Sequence, residues 1–92
     1  MQRLGVTPAT TTLSLTTADT EYSYTVPDGT KRLIFKLRTL DGDVTYGWAT
    51  GARNMTISAG FVRDISDINF VARTFFVSCN LENKILEIET YQ

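Results

Sequence analysis

The sequence predicts an all-β protein, a compact antiparallel β-sandwich of seven to eight short strands. Three observations predict it. Threonine is in excess, 15 residues against 6 alanines, and branched side chains lose rotamer freedom in a helix but fit a pleated surface. Apolar residues recur at every second position through most of the chain, which is the period of a half-buried strand. The runs are short and are separated by clusters of Gly, Pro, Asp and Asn, the punctuation of a many-turned β domain.

Taken in order, residues 1–10 lack the alternation and contain Pro8, which removes a backbone donor. They are expected to form an extended N-terminal arm that gains order on docking, with Arg3, Leu4 and Val6 as its contacts. Residues 11–92 are expected to form a single sandwich domain, since 92 residues leave no room for a second. Strands are expected near 10–16, 21–26, 31–40, 43–49, 54–58, 61–64, 74–79 and 84–91. Their inward positions would be Leu13 and Leu15, Tyr22 and Tyr24, then Leu33, Phe35 and Leu37. Tyr46, Trp48, Ile57, Phe75, Val77, Leu86 and Ile88 continue the set, and Cys79 shares the face of Phe75 and Val77. Pro27-Asp28-Gly29-Thr30 reads as a turn with Pro27 at its first central position, and Asp41-Gly42-Asp43 as a tight hairpin. Thr50 to Asn54 reads as a longer hairpin loop. The span from Asp64 to Ala72, with Ile65, Ile68 and Phe70, reads as an irregular crossover between sheets, because Ser66, Asp67 and Asn69 suit a helix interior poorly. Jelly-roll and immunoglobulin-like windings both accommodate this series of strands.

Composition narrows the chemistry. Nine Lys+Arg against ten Asp+Glu give a net charge of -1, which argues against wholesale attraction to nucleic acid or to an anionic membrane. The chain has no histidine and one cysteine, so the usual zinc sets, an internal disulfide and His-dependent base catalysis are all excluded. Asp41 with Asp43, and Asp64 with Asp67, are better explained as turn residues than as calcium ligands, which would have to supply six to eight oxygens. Glu87 and Glu89 lie two apart on a strand and project from one face, as a solvated stripe without a cleft. Arg32, Lys36 and Arg38 form a basic stripe of the same period, and cross-strand pairing with Glu87 and Glu89 is its simplest use. Tyr22, Tyr46 and Trp48 could stack a sugar, but an alternating Val44-Tyr46-Trp48 series more often fills a sandwich core. No catalytic residue, cofactor or metal is expected.

A resemblance sharpens these expectations. The segment from Asp19 to Arg38 has an aromatic strand, Tyr22-Ser23-Tyr24, then Pro27-Asp28-Gly29-Thr30, then the strand Lys31-Arg32-Leu33-Ile34-Phe35-Lys36. A hairpin follows at Trp48-Ala49-Thr50-Gly51 and an Ile-x-x-Gly turn at Ile57-Ser58-Ala59-Gly60. The close is the aromatic strand Thr74-Phe75-Phe76-Val77-Ser78 and a terminal Glu87-Ile88-Glu89 with Tyr91. Across residues 19–91 this order resembles the small β-sandwich structural proteins of tailed bacteriophages, of the capsid decoration or auxiliary head type. The resemblance implies a non-enzymatic virion component, synthesised in the host bacterial cytoplasm. It would bind the major capsid protein or other virion proteins as a small homo-oligomer such as a trimer. Neck or tail placement is the near alternative, and a carbohydrate-binding module for host-surface glycans is the alternative from another class. The opening residues carry no apolar run of signal-peptide length, and no stretch nears the roughly 18 apolar residues of a membrane span. The residues expected to make contacts are Arg3, Leu4 and Val6 of the arm and Arg32, Lys36, Arg38, Glu87 and Glu89 of the stripes.

Overall fold

Alternation of branched and aromatic residues with polar ones yields strands wherever the sequence places it. The computed structural model describes residues 7–66 and 71–92. Eight strands run through them: β1 (Pro8–Leu15), β2 (Tyr22–Val26), β3 (Arg32–Leu37), β4 (Val44–Gly47), β5 (Met55–Ile57), β6 (Arg63–Ile65), β7 (Arg73–Cys79) and β8 (Lys84–Tyr91). They form two four-stranded antiparallel sheets, ordered β1-β8-β3-β6 and β2-β7-β4-β5. Successive strands change sheet at every step except β4 to β5, which pair as a hairpin. That winding is a jelly roll, which decides between the two topologies the strand series allowed.

The core lies between the sheets. Leu15, Leu33, Phe35, Leu37, Leu86 and Ile88 come from one sheet, and Val26, Val44, Tyr46, Ile57, Phe75, Val77 and Cys79 from the other. Phe35 stacks on Phe75 across the gap at 4.9 Å and meets Tyr46 edge-on at 5.0 Å. Leu13, Tyr22, Tyr24 and Trp48 are only partly buried at the margin of this cluster. Tyr46 is otherwise enclosed, and its hydroxyl accepts a 2.7 Å hydrogen bond from Arg63 Nε. That bond ties β6 to β4 of the facing sheet and satisfies the one polar atom on a core ring.

Several local readings need correction. β1 begins at Pro8, so residues 8–10 belong to a strand and not to an arm. Alternation fails there because Ala9 and Thr11, on the inward side, are left exposed at the sheet's end, and an uncovered face imposes no apolar pattern. Arg3, Leu4 and Val6 lie outside the described residues, as do Asp67, Ile68, Asn69 and Phe70 of the expected crossover. In the turn after β2, Pro27 is the first residue and not a central one: its carbonyl accepts both the Thr30 N–H at 3.3 Å and the Thr30 hydroxyl at 2.8 Å. Gly29, at φ 82°, takes the central position that needs a left-handed backbone. Asp41-Gly42-Asp43 is not a hairpin, because β3 and β4 lie in different sheets. Thr50 to Asn54 does connect a hairpin, and Gly47 at its start is obligatory, since a Cβ there would lie 1.9 Å from the Ala52 carbonyl oxygen.

Candidate functional site

Outward-facing residues of β1, β8 and β3 build the most distinctive surface. The pairing sets Thr10 opposite Glu89 and Thr12 opposite Glu87 on one side of β8. On the other side it sets Ile34 opposite Glu89, Lys36 opposite Glu87 and Arg32 opposite Tyr91. Side chains on one face of a ladder are neighbours, so these positions form a single polar strip across three strands. The strip lines a shallow, open trough of about 650 Å³, walled by Thr10, Thr12, Lys36, Arg38, Glu87 and Glu89.

Glu87 sits at its centre. One carboxylate oxygen accepts from Lys36 Nζ at 2.7 Å and the other from Arg38 Nε at 2.9 Å. The Lys36 ammonium, then the Arg38 guanidinium, hold its carboxyl below the usual carboxylate range. Arg32 departs from the expected pairing of the basic stripe with Glu87 and Glu89. Its guanidinium makes two bonds to Asp64 of β6, 3.1 and 2.7 Å, and lies 5.6 Å from the centre of the Tyr91 ring. Asp64 is held low by that guanidinium, and the Tyr91 phenol is pushed up by its hydrogen bond with Glu89. Arg32, Lys36 and Arg38 thus face Asp64, Glu87 and Glu89, and the formal charge of the strip cancels.

The structure therefore brings Lys36, Arg38 and Glu87 into contact, with Glu89 and Arg32 on the same face. Sequence reasoning missed Thr10, Thr12, Ile34 and Asp64. The threonines share the period-two signal of Glu87 and Glu89, but uncharged side chains on an edge strand give no complementary pattern to find. Asp64 reads from the chain as a turn acid, and only the β3–β6 register, Ile34 opposite Asp64, puts it diagonal to Arg32.

Other acids are committed to the fold. Asp41 accepts from the Thr39 hydroxyl at 2.6 Å and from Lys84 Nζ at 2.8 Å, and Lys84 above all holds its carboxyl low. Asp43 accepts the Ala59 N–H at 2.8 Å. Glu21 pairs with Arg53 and accepts the Gly51 N–H at 3.0 Å, which pins the β4–β5 loop to the start of β2. Of the rings considered for sugar stacking, Tyr46 is buried, and Trp48 packs edge-on against Phe75 at 5.7 Å. Cys79 is a buried free thiol among core residues. A smaller apolar feature lies at one end of the sandwich, where Leu40 and Phe61, the latter 66 % exposed, flank a notch beside Ile57 and Val44. Comparison of the chain with protein-family models, with curated proteins and with solved structures returned no match.

Proposed function

We propose that this chain is a non-enzymatic structural protein of a tailed-bacteriophage particle, a capsid decoration protein that docks on the major capsid lattice. The observation that carries the reading is the winding. Sheets ordered β1-β8-β3-β6 and β2-β7-β4-β5 form the jelly-roll plan that viral capsid domains and lectins use. Here that plan coincides with the run of phage-like motifs across residues 19–91. Fold alone does not assign a role, so the surface must supply the rest. The strip centred on Glu87 is broad, shallow and charge-balanced, a form suited to a protein face and to setting the orientation of docking.

The test is co-sedimentation. Purified protein is mixed with expanded, undecorated shells of the major capsid protein encoded in the same genome. Saturable pelleting with the shells is the expected result. Protein that stays in the supernatant at every shell concentration overturns the decoration role. Binding confined to the portal vertex or tail in electron micrographs overturns it in favour of a neck or tail component.

A further inference from the structure

We propose that the free edge of β1 pairs with β1 of a second copy of this chain, antiparallel and centred on Thr12. The two β1-β8-β3-β6 sheets would then become one continuous eight-stranded sheet. The inference rests on strand geometry and is independent of the phage reading.

Which backbone groups β1 offers follows from its pairing. Thr7 and Gln92 exchange both main-chain hydrogen bonds, at 2.6 and 3.1 Å. In an antiparallel ladder such pairs recur at every second residue, so Ala9, Thr11 and Leu13 turn their N–H and C=O toward β8. The far side of β8 agrees with this, because the carbonyls of Tyr91 and Ile85 accept from the N–H groups of Lys31 and Arg38. Thr10, Thr12 and Ser14 therefore aim their N–H and C=O away from the sheet. Pro8, which has no N–H, falls on that same outward side. Among the described strands, none pairs with this edge.

An edge of this kind is a template unless it is protected. The other three edge strands are shorter. β2 has five residues, β5 and β6 have three each, and β6 also carries Arg63 and Asp64. β1 has eight residues, Pro-Ala-Thr-Thr-Thr-Leu-Ser-Leu, with no charge and no proline after the first position. Thr10, Thr11 and Thr12 are all exposed.

A second copy fits this edge for reasons of register. A two-fold axis at Thr12 sets Thr12 opposite itself and Thr10 opposite Ser14, so every outward donor and acceptor of these three residues finds a partner. Moving the axis to Thr10, or midway between Thr10 and Thr12, sets Thr12 or Ser14 opposite Pro8, whose missing N–H leaves a carbonyl unmatched. In the Thr12 register the half-buried Leu13 faces Thr11 of the other copy, and Thr12 makes a threonine pair. No like charges meet at the axis. Closed two-fold pairing also consumes both edges, which stops further growth.

Cysteine cross-linking tests both pairing and register. At the axis the two Thr12 Cα atoms would lie about 5.5 Å apart, within disulfide range, whereas the two Thr10 Cα atoms would be displaced by four residues, roughly 13 Å. Under mild oxidation Thr12→Cys should give a covalent dimer and Thr10→Cys should remain monomeric. Cys79 is buried and should take no part. By analytical ultracentrifugation the unmodified protein should be a dimer at micromolar concentrations. Thr12→Lys, whose far-UV dichroism should stay native, should sediment as a monomer. A wild-type monomer at millimolar concentration overturns the proposal, and so does a folded Thr12→Lys dimer or equal cross-linking of both cysteine variants. Slow amide exchange at Thr10, Thr12 and Ser14 in a monomer would show that the chain covers its own edge, which also overturns it. Dimerisation without shell binding would uphold this inference and remove the decoration role.

Discussion

β3 and β1 flank the same strand, β8, yet they are different kinds of strand. β3 lies between β8 and β6 and faces the second sheet along its length, so Leu33, Phe35 and Leu37 are buried and alternate with Arg32, Ile34 and Lys36. β1 is an edge, covered at one end only: Leu15 is buried and Leu13 partly so, while Pro8 to Thr12 are exposed on both faces. The contrast teaches what periodicity reports. A period-two pattern records the coverage of a face, while strand pairing itself runs through backbone groups that every residue but proline supplies.

Substitutions can break or sharpen that comparison. The largest effect is expected at the centre of β3. Phe35→Ala removes the ring that joins Phe75 and Tyr46 across the sheets and should cost about 3–5 kcal/mol in urea unfolding. A cost below about 1 kcal/mol would mean that β3 is not the covered strand. Gly47→Ala comes next: its Cβ would collide with the Ala52 carbonyl, and overpacking of this kind costs about 1–3 kcal/mol. An unchanged unfolding midpoint would show that the hairpin can move away. On β1, Leu13→Ala should cost about 1 kcal/mol and Thr11→Ala less than about 0.5 kcal/mol in the same assay. If Thr11→Ala matched Phe35→Ala, the two strands would be equally covered and the comparison would fail.

The smallest effect is expected from acid. Glu87, Asp64 and Asp41 are held below the ordinary carboxylate range by Lys36 with Arg38, by Arg32 and by Lys84. A carboxylate with a lowered folded-state pKa contributes stability that is fully present above its unfolded value and is lost as pH falls through the folded one. The melting temperature should therefore be flat above roughly pH 5 and decline gently below about pH 4. Asp41 and Asp64 are exposed and Glu87 is half-buried, so added salt should flatten the decline further. A decline that begins near neutrality would point to other groups.

How much was legible follows from the same contrast. Every expected strand exists, with ends shifted by up to three residues, and the whole inward set of β3, β7 and β8 is buried as expected, whereas Leu13, Tyr22, Tyr24 and Trp48 are only partly buried. The Lys36–Glu87 and Arg38–Glu87 contacts follow from complementary stripes on strands that turned out to be neighbours. The start of β1 was not legible, since Ala9 and Thr11 lie uncovered among the described residues and Pro8 suggested an arm. Nor was the Arg32–Asp64 pair, which depends on a register between strands about thirty residues apart. Gly47 could not be singled out either, because its need comes from an approaching carbonyl and not from a turn motif.

In the proposed decoration role the Glu87-centred face serves docking more than stability. The most direct measurement is the binding of Glu87→Lys/Glu89→Lys to undecorated shells, with the melting temperature of the same variant. Pelleting with the shells should be lost while the melting temperature stays close to that of the unmodified protein. Unchanged binding together with a sharp fall in melting temperature would contradict it.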